Sequence, residues 1–188
     1  ANHAGSTAMA DRKDALVAAA GFINKVPEIV KEYGNEFTVA TVGTIKVTPH
    51  SVNVIPGTCT FSLEIRDQSA EVMKLIENHL RRLLEDICKK YGVTSTFVPT
   101  SYHDPAPMSE LVRGTIEEAV KELGIDYTVI PSGAFHDSLI MTSVFPTGMI
   151  FVPSKDGISH SRYEYTAPED IENGCNVLLN TVLKLDEK

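Results

Sequence analysis

The stretch Cys59-Thr60-Phe61-Ser62-Leu63-Glu64-Ile65-Arg66 alternates between apolar and polar side chains from end to end. Successive side chains of a strand point to opposite faces. The stretch therefore reads as a half-buried strand, with Cys59, Phe61, Leu63 and Ile65 inward and Thr60, Ser62, Glu64 and Arg66 on a wet face. Pro56-Gly57 just ahead of it is turn chemistry. Upstream, Phe37–Val47 is rich in Val, Thr and Ile and predicts a second strand. Downstream, Val72, Leu75, Ile76, Leu80, Leu83, Leu84 and Ile87 recur at helical spacing. Ser69 suits the N-cap of that helix, Lys89 and Lys90 suit its C-terminal dipole, and Gly92 suits its C-cap.

Working outward, Asp11–Lys25 carries the same helical rhythm. Pro27 is expected to interrupt it, with Glu28–Tyr33 as a continuation and Gly34-Asn35 as the stop. Val93–Pro99 predicts another strand. The order helix–strand–strand–helix–strand is that of an antiparallel sheet with two helices on one face, a ferredoxin-like α+β arrangement. Tyr102–Pro107 has the composition of a linker. Beyond it, Ser109–Leu123 predicts a helix ended by Gly124. Tyr127–Ile130 and Met149–Val152 predict strands, and Ala167–Lys184 a closing helix with Pro168 in its first turn. Strands separated by helices suggest part of an α/β sheet. The expected domains are 1–103 and 104–188.

The 188 residues carry a net charge of −8, which argues against a nucleic-acid surface and against a polybasic membrane surface. At 43% hydrophobic the chain can build a packed core, and no apolar run approaches the roughly 18 residues of a membrane span. Three cysteines, Cys59, Cys88 and Cys175, at long spacings suggest neither a disulfide framework nor a thiolate zinc site. They read as buried core thiols in a reducing, cytoplasmic protein. The chain opens Ala1-Asn2-His3 with no Met and no signal-peptide pattern, as though it starts partway through a longer sequence.

Of six histidines, His79 reads as a surface or boundary helix residue, and His50 and His103 fall in turns. His3, His136 and His160 lie in Gly/Ser-rich irregular stretches, where sites on α/β folds commonly sit. His136-Asp137 beside Ser132 and Ser138 invites a serine-hydrolase reading. Adjacent His and Asp cannot readily make the triad hydrogen bond, however, and the G-x-S-x-G elbow is missing. No complete metal or phosphate motif is present, so the chain offers single imidazoles at most. Arg66 can clamp a carboxylate with two parallel hydrogen bonds, or simply pair with Glu64 or Asp67. Asn53 can offer a donor and an acceptor to a ligand, or support the turn before Pro56-Gly57.

Four stretches, in order, resemble one family. They are Ala1-Asn2-His3-Ala4-Gly5-Ser6-Thr7-Ala8-Met9 with Arg12 and Asp14; Asn53–Gly57 through Ile65-Arg66; Ser132-Gly133-Ala134-x-His136-Asp137; and Pro146–Ser154 through Gly157-Ile158-Ser159-His160 and Glu164. They are similar to motifs of the hydantoinase/carbamoylase branch of the zinc-dependent aminoacylase–carboxypeptidase superfamily. That branch includes N-carbamoyl-L-amino-acid hydrolases, allantoate amidohydrolases and β-ureidopropionases. The resemblance implies a lid and dimerisation domain lacking its first strand over 1–103. It implies the C-terminal part of a metallo-aminopeptidase-like catalytic domain over 104–188.

It further implies His160 as a metal ligand and His3 as the residue that supports the carbonyl oxygen across the dimer. Asn53 and Arg66 would hold the substrate carboxylate, and Phe135 and His136 would contact substrate. The complete enzyme would bind two divalent ions, zinc or manganese, act on a ureido or amide acid, and form a homodimer through the lid. The other metal ligands and the catalytic Glu have no counterpart here, so the chain by itself is expected to be inactive. Ala8 replaces the motif's Pro. Phe135 replaces its second Gly, with a narrowed pocket, a changed substrate or lost binding as the expected effects. The alternative from another class is a non-catalytic, dimerising module that binds small acids.

Overall fold

The computed structural model describes residues 1–187, and the chain divides into two compact units, one ending at Pro105 and one beginning at Ala106. In the first unit the alternating stretch forms one side of a long antiparallel hairpin. Its strands are β2 (Val39–Thr41), β3 (Ile45–Thr48), β5 (Thr58–Phe61) and β6 (Glu64–Arg66). Val39 lies opposite Arg66 and Thr41 opposite Glu64, whereas Ile45 lies opposite Phe61 and Thr48 opposite Thr58. Between the two ladders, residues 42–44 face only residues 62 and 63, so the first strand carries one extra residue. This is a β-bulge, and Gly43 sits in it. Ser62 closes it: its amide donates to Thr44 O at 3.2 Å, and its Oγ accepts from Thr44 N at 3.1 Å.

The bulge explains why the two predicted strands each appear as two pieces. It also shifts the side-chain parity of one strand. Ala40 is paired with Ile65, while Ile45 and Val47 are paired with Phe61 and Cys59. An even position and two odd ones thereby share a face, which an unbulged strand of period two cannot arrange. A short extra ladder joins β1 (Asn2–His3) antiparallel to β4 (Val54–Ile55) within the connection between β3 and β5.

Two helices cover the apolar face of the hairpin. Phe22 and Val26 of α1 (Ala15–Tyr33) and Ile76 and Leu80 of α2 (Ala70–Tyr91) form the buried centre. Ala40, Phe61, Leu63 and Ile65 pack against it from the hairpin. Helix α1 begins later than expected because Asp14 caps it, Oδ1 accepting from Leu16 N at 2.9 Å and Val17 N at 3.1 Å. It also runs unbroken through Pro27. That residue is exposed, so its ring and its missing N–H lie on the solvent side while Phe22 and Val26 anchor the buried side. Helix α2 matches its expected signals: Ser69 Oγ accepts from Val72 N, and Gly92 caps the far end at φ 62°. His79 sits half-buried, at the boundary between core and surface, its ring stacked 3.6 Å from that of Tyr33 of α1.

The segment 93–99 corrects the sequence expectation. A strand needs a ladder partner, and the described residues offer it none. Phe97 is instead held by α2, its ring 3.8 Å from the Arg81 guanidinium.

The second unit is built on α3 (Glu110–Glu122) and α5 (Pro168–Asp186), with the short α4 (Asp137–Met141) between them. Ala119, Val120 and Thr115 of α3 and Val177 and Thr181 of α5 are buried. The buried hydroxyls are satisfied within their own helices: Thr115 Oγ1 donates to Leu111 O and Thr181 Oγ1 to Val177 O. The segment following Pro146 lies close on both helices. A Cβ at Gly148 would stand 2.6 Å from Val112 Cγ1, and one at Gly174 would stand 2.5 Å from Val152 Cγ1. The predicted strands 127–130 and 149–152 likewise find no ladder partner among the described residues. The buried-type run thus stays partly open, with Phe151 half exposed. Cys175 is exposed, on a side of α5 that Val177 and Thr181 leave uncovered; Cys59 and Cys88 are half-buried. No helix among the described residues is long and apolar enough to cross a membrane.

Candidate functional site

The first group of site residues sits where β1 meets β4. His3 is paired with Val54, and Ala4 N donates to Asn53 O at 2.8 Å. Two residues widely separated in sequence, His3 and Asn53, are thereby neighbours. The chain after His3 then folds into a tight loop. Gly5 N donates to His3 Nδ1 at 3.1 Å, and Thr7 Oγ1 donates to His3 O at 2.8 Å. Arg12 closes the loop from outside: Nη2 donates to Ala4 O at 2.6 Å and to Thr7 O at 3.1 Å, and Nε to Thr7 O at 3.2 Å. A Cβ on Gly5 would lie 3.2 Å from His3 Cε1, so a glycine there lets the imidazole lie against the backbone. In the sequence Gly5, Thr7 and Arg12 stand within a motif, and their spacing assigns them no role. Their signal is visible only once the loop is folded.

Asn53 is exposed, and Ser51 Oγ donates to its Oδ1 at 2.8 Å. That bond ties it to the connection between β3 and β5. Arg66 ends the wet face of β6 at the opposite end of the hairpin ladder from the connection that bears Asn53. Its Nη2 donates to Glu64 Oε1 at 2.7 Å. That pair is exposed and so contributes little to stability.

The second unit holds the other candidates. His136 precedes α4, and its ring meets that of Phe151 edge-on at 5.7 Å. Its neighbour Phe135 is half exposed. Among the described non-glycine residues only Asp156 and His160 have positive φ, so the backbone at 135 needs no glycine.

His160 itself stands at φ 54°, the left-handed region that a side chain seldom occupies. The loop over-determines it. His160 N donates to Glu164 Oε2 at 2.9 Å, Glu164 N donates to Ser161 O, and Lys155 N donates to Tyr165 O. Glu164 is thus a contributor that sequence spacing alone did not assign.

His160 is the single imidazole proposed for a metal, whereas a protein metal site takes three or four ligands. Among the described residues no three His, Cys, Asp or Glu side chains stand together as such a group. The residues described here do not make a complete metal centre.

The sequence profile of peptidase family M20/M25/M40 matches residues 2–184. An N-carbamoyl-L-amino acid amidohydrolase of Geobacillus stearothermophilus is 40% identical over 98% of this chain, which covers 45% of that protein. An allantoate amidohydrolase of Bacillus subtilis is 34% identical over 98% of the chain and 44% of its own length. Among solved structures, that of AtUAH in complex with (S)-hydroxyglycine superposes with a TM-score of 0.92 at 35% identity, over the whole chain and 44% of the other. A Bacillus subtilis protein described as a dinuclear metal binding peptidase shares the fold, with a TM-score of 0.69 at 17% identity over 92% of the chain and 46% of the other. The chain spans about half the length of the curated relatives it matches. A profile match over nearly every residue, with relatives named as amidohydrolases, places this chain in peptidase family M20/M25/M40.

Proposed function

We propose that this chain serves a metal-dependent amidohydrolase that cleaves linear amide or ureido C–N bonds in N-carbamoyl amino acids or allantoate-like acids. The observation that carries the reading is the β1–β4 ladder, which sets His3 of the first matching stretch beside Asn53 of the second. The names of the relatives, N-carbamoyl-L-amino acid amidohydrolase and allantoate amidohydrolase, point to the same substrate class.

The roles follow from chemistry. A carbonyl under attack gains negative charge on oxygen, and a fixed N–H aimed at that oxygen lowers the barrier. His3 supplies that donor. Arg66 and Asn53 are the proposed contacts to the substrate carboxylate; within one copy they stand at opposite ends of the hairpin ladder. Phe135 and His136 border the substrate. His160 contributes one imidazole to a divalent-metal site, zinc or manganese with two ions in the complete protein; since the described residues do not complete that site, no step is assigned to the metal. Residues 1–103 are the lid and dimer-forming part and 104–188 part of the catalytic domain. The outward face of the hairpin, where Val39 is exposed, and the outer side of α2 are the surfaces for a second copy. The incomplete ligand set supports the view that the isolated chain does not turn over substrate.

The test is hydrolysis of N-carbamoyl amino acids, N-carbamoyl-β-alanine and allantoate, with zinc or manganese, by the full-length protein and by this chain. Turnover by the full-length protein that falls at least a hundredfold in His3→Ala is expected. Clear turnover by the 188-residue chain would refute its inactivity. Absence of turnover by the full-length protein would favour a non-catalytic acid-binding module.

A further inference from the structure

The reading of His3 as a donor leaves open which ring nitrogen carries the proton, and the loop around it answers that. An imidazole nitrogen that accepts a backbone N–H cannot also bear hydrogen. Gly5 N donates to His3 Nδ1 at 3.1 Å. The neutral ring must then carry its proton on Nε2, the nitrogen farther from the backbone. Two further residues hold the geometry that makes this contact possible. Thr7 Oγ1 donates to His3 O, and the Arg12 guanidinium ties the carbonyls of Ala4 and Thr7 together, at 2.6 Å and 3.1 Å from a single nitrogen. On the other side, the β1–β4 pairing fixes the His3 backbone to Val54. Gly5 adds a steric condition, since a side chain there would press on His3 Cε1.

We propose that the Gly5 amide locks neutral His3 as its Nε2–H tautomer, and that Arg12 and Thr7 are positioning residues which hold the loop that does so. His3 then meets substrate as a hydrogen-bond donor and is not available as a base through Nδ1. This rests on the proposed function for the identity of the acceptor, a carbonyl oxygen gaining charge. The tautomer and its support rest on this chain's hydrogen bonds alone. Arg12 reaches substrate nowhere in this account; it acts through His3.

The experiment is nitrogen NMR on the 188-residue chain, labelled with 15N at histidine and glycine, at a pH above the ordinary imidazole range of about 6.5. The expected result is one protonated nitrogen on His3, assigned to Nε2, with a through-hydrogen-bond coupling between Gly5 N and His3 Nδ1. Arg12→Ala is expected to lose the coupling and to give a mixture of tautomers, while Lys13→Ala keeps both signals. Should Arg12→Ala fail to fold, judged by its thermal melt, Thr7→Val takes its place, with the same loss expected. A proton on Nδ1, or no coupling in the parent chain, overturns the tautomer assignment. A coupling unchanged in a folded Arg12→Ala or Thr7→Val chain overturns the positioning role. None of these outcomes depends on turnover, so failure of the proposed activity, read from His3→Ala in the full-length protein, is a separate result.

Discussion

Single side chains decide how the first unit is tied together, and Asp67 shows how. Its Oδ1 accepts from Ser69 N at 2.7 Å and Asn35 Nδ2 at 3.2 Å, and its other oxygen accepts from Thr38 Oγ1. One carboxylate therefore joins the end of α1, the start of β2, the end of β6 and the start of α2. Thr38 is buried, so losing its acceptor strands a hydroxyl away from water. Asp67→Ala is expected to lower unfolding stability by about 2 kcal/mol in urea titrations. Asp67→Asn keeps acceptor capacity at one oxygen and should lose less. At this scale the sequence already displayed the wet-face placement of Arg66. It concealed the acceptors: nothing in the spacing says that Glu164 takes the His160 amide, because that bond exists only once residue 160 adopts its left-handed conformation.

At the scale of elements, α2 joins packing to charge. Glu77 lies partly buried on it. Burial alone would raise its carboxyl above the ordinary 4.5, but hydrogen bonds and charge from Arg81 and Lys74 outweigh burial and hold it lower. A carboxyl depressed on folding stabilises the fold above its unfolded value, and that contribution fades as pH falls through the folded value. Thermal melts should therefore show a loss of stability as pH drops below about 4.5, and Glu77→Gln should flatten that slope. The same change is expected to loosen residues 93–99, because Arg81 bonded to Glu77 also lies over Phe97. Partial deuterium exchange over 93–99 would register it.

The hairpin is the other element-scale lesson. Alternation from Cys59 to Arg66 was legible and correct as to which side chains face inward. The bulge was not, since one surplus residue in 42–44 leaves no mark until the opposing strand sets the count.

For the whole molecule, the first unit has its own centre in Phe22, Val26, Ile76 and Leu80, closed over by the hairpin. A polypeptide ending at Pro105 should fold by itself, with a cooperative melt and the helical signal of α1 and α2. A non-cooperative transition in that piece would show that the core needs the remainder of the chain. The second unit differs: Ile171, Leu178, Leu179, Val182 and Leu183 of α5 are half exposed. Expressed alone, the stretch beginning at Ala106 is expected to associate at lower concentration than residues 1–105, measured by light scattering.

The sequence by itself determined α2 with its Ser69 and Gly92 caps, the presence of α1, α3 and α5, and the inward face of the hairpin, because each follows from periodicity and local hydrogen-bonding chemistry within a few residues. It also carried the family resemblance, since motifs are strings of residue types. Three things were left to tertiary structure. Helix α1 passes through Pro27 because Phe22 and Val26 are buried on the opposite side. The runs 93–99, 127–130 and 149–152 stay unpaired because a strand is made by its neighbour and not by its own composition. His3 lies beside Asn53 and beneath the Gly5 amide because a two-residue ladder folds the start of the chain onto the connection between β3 and β5, a contact that no local pattern encodes.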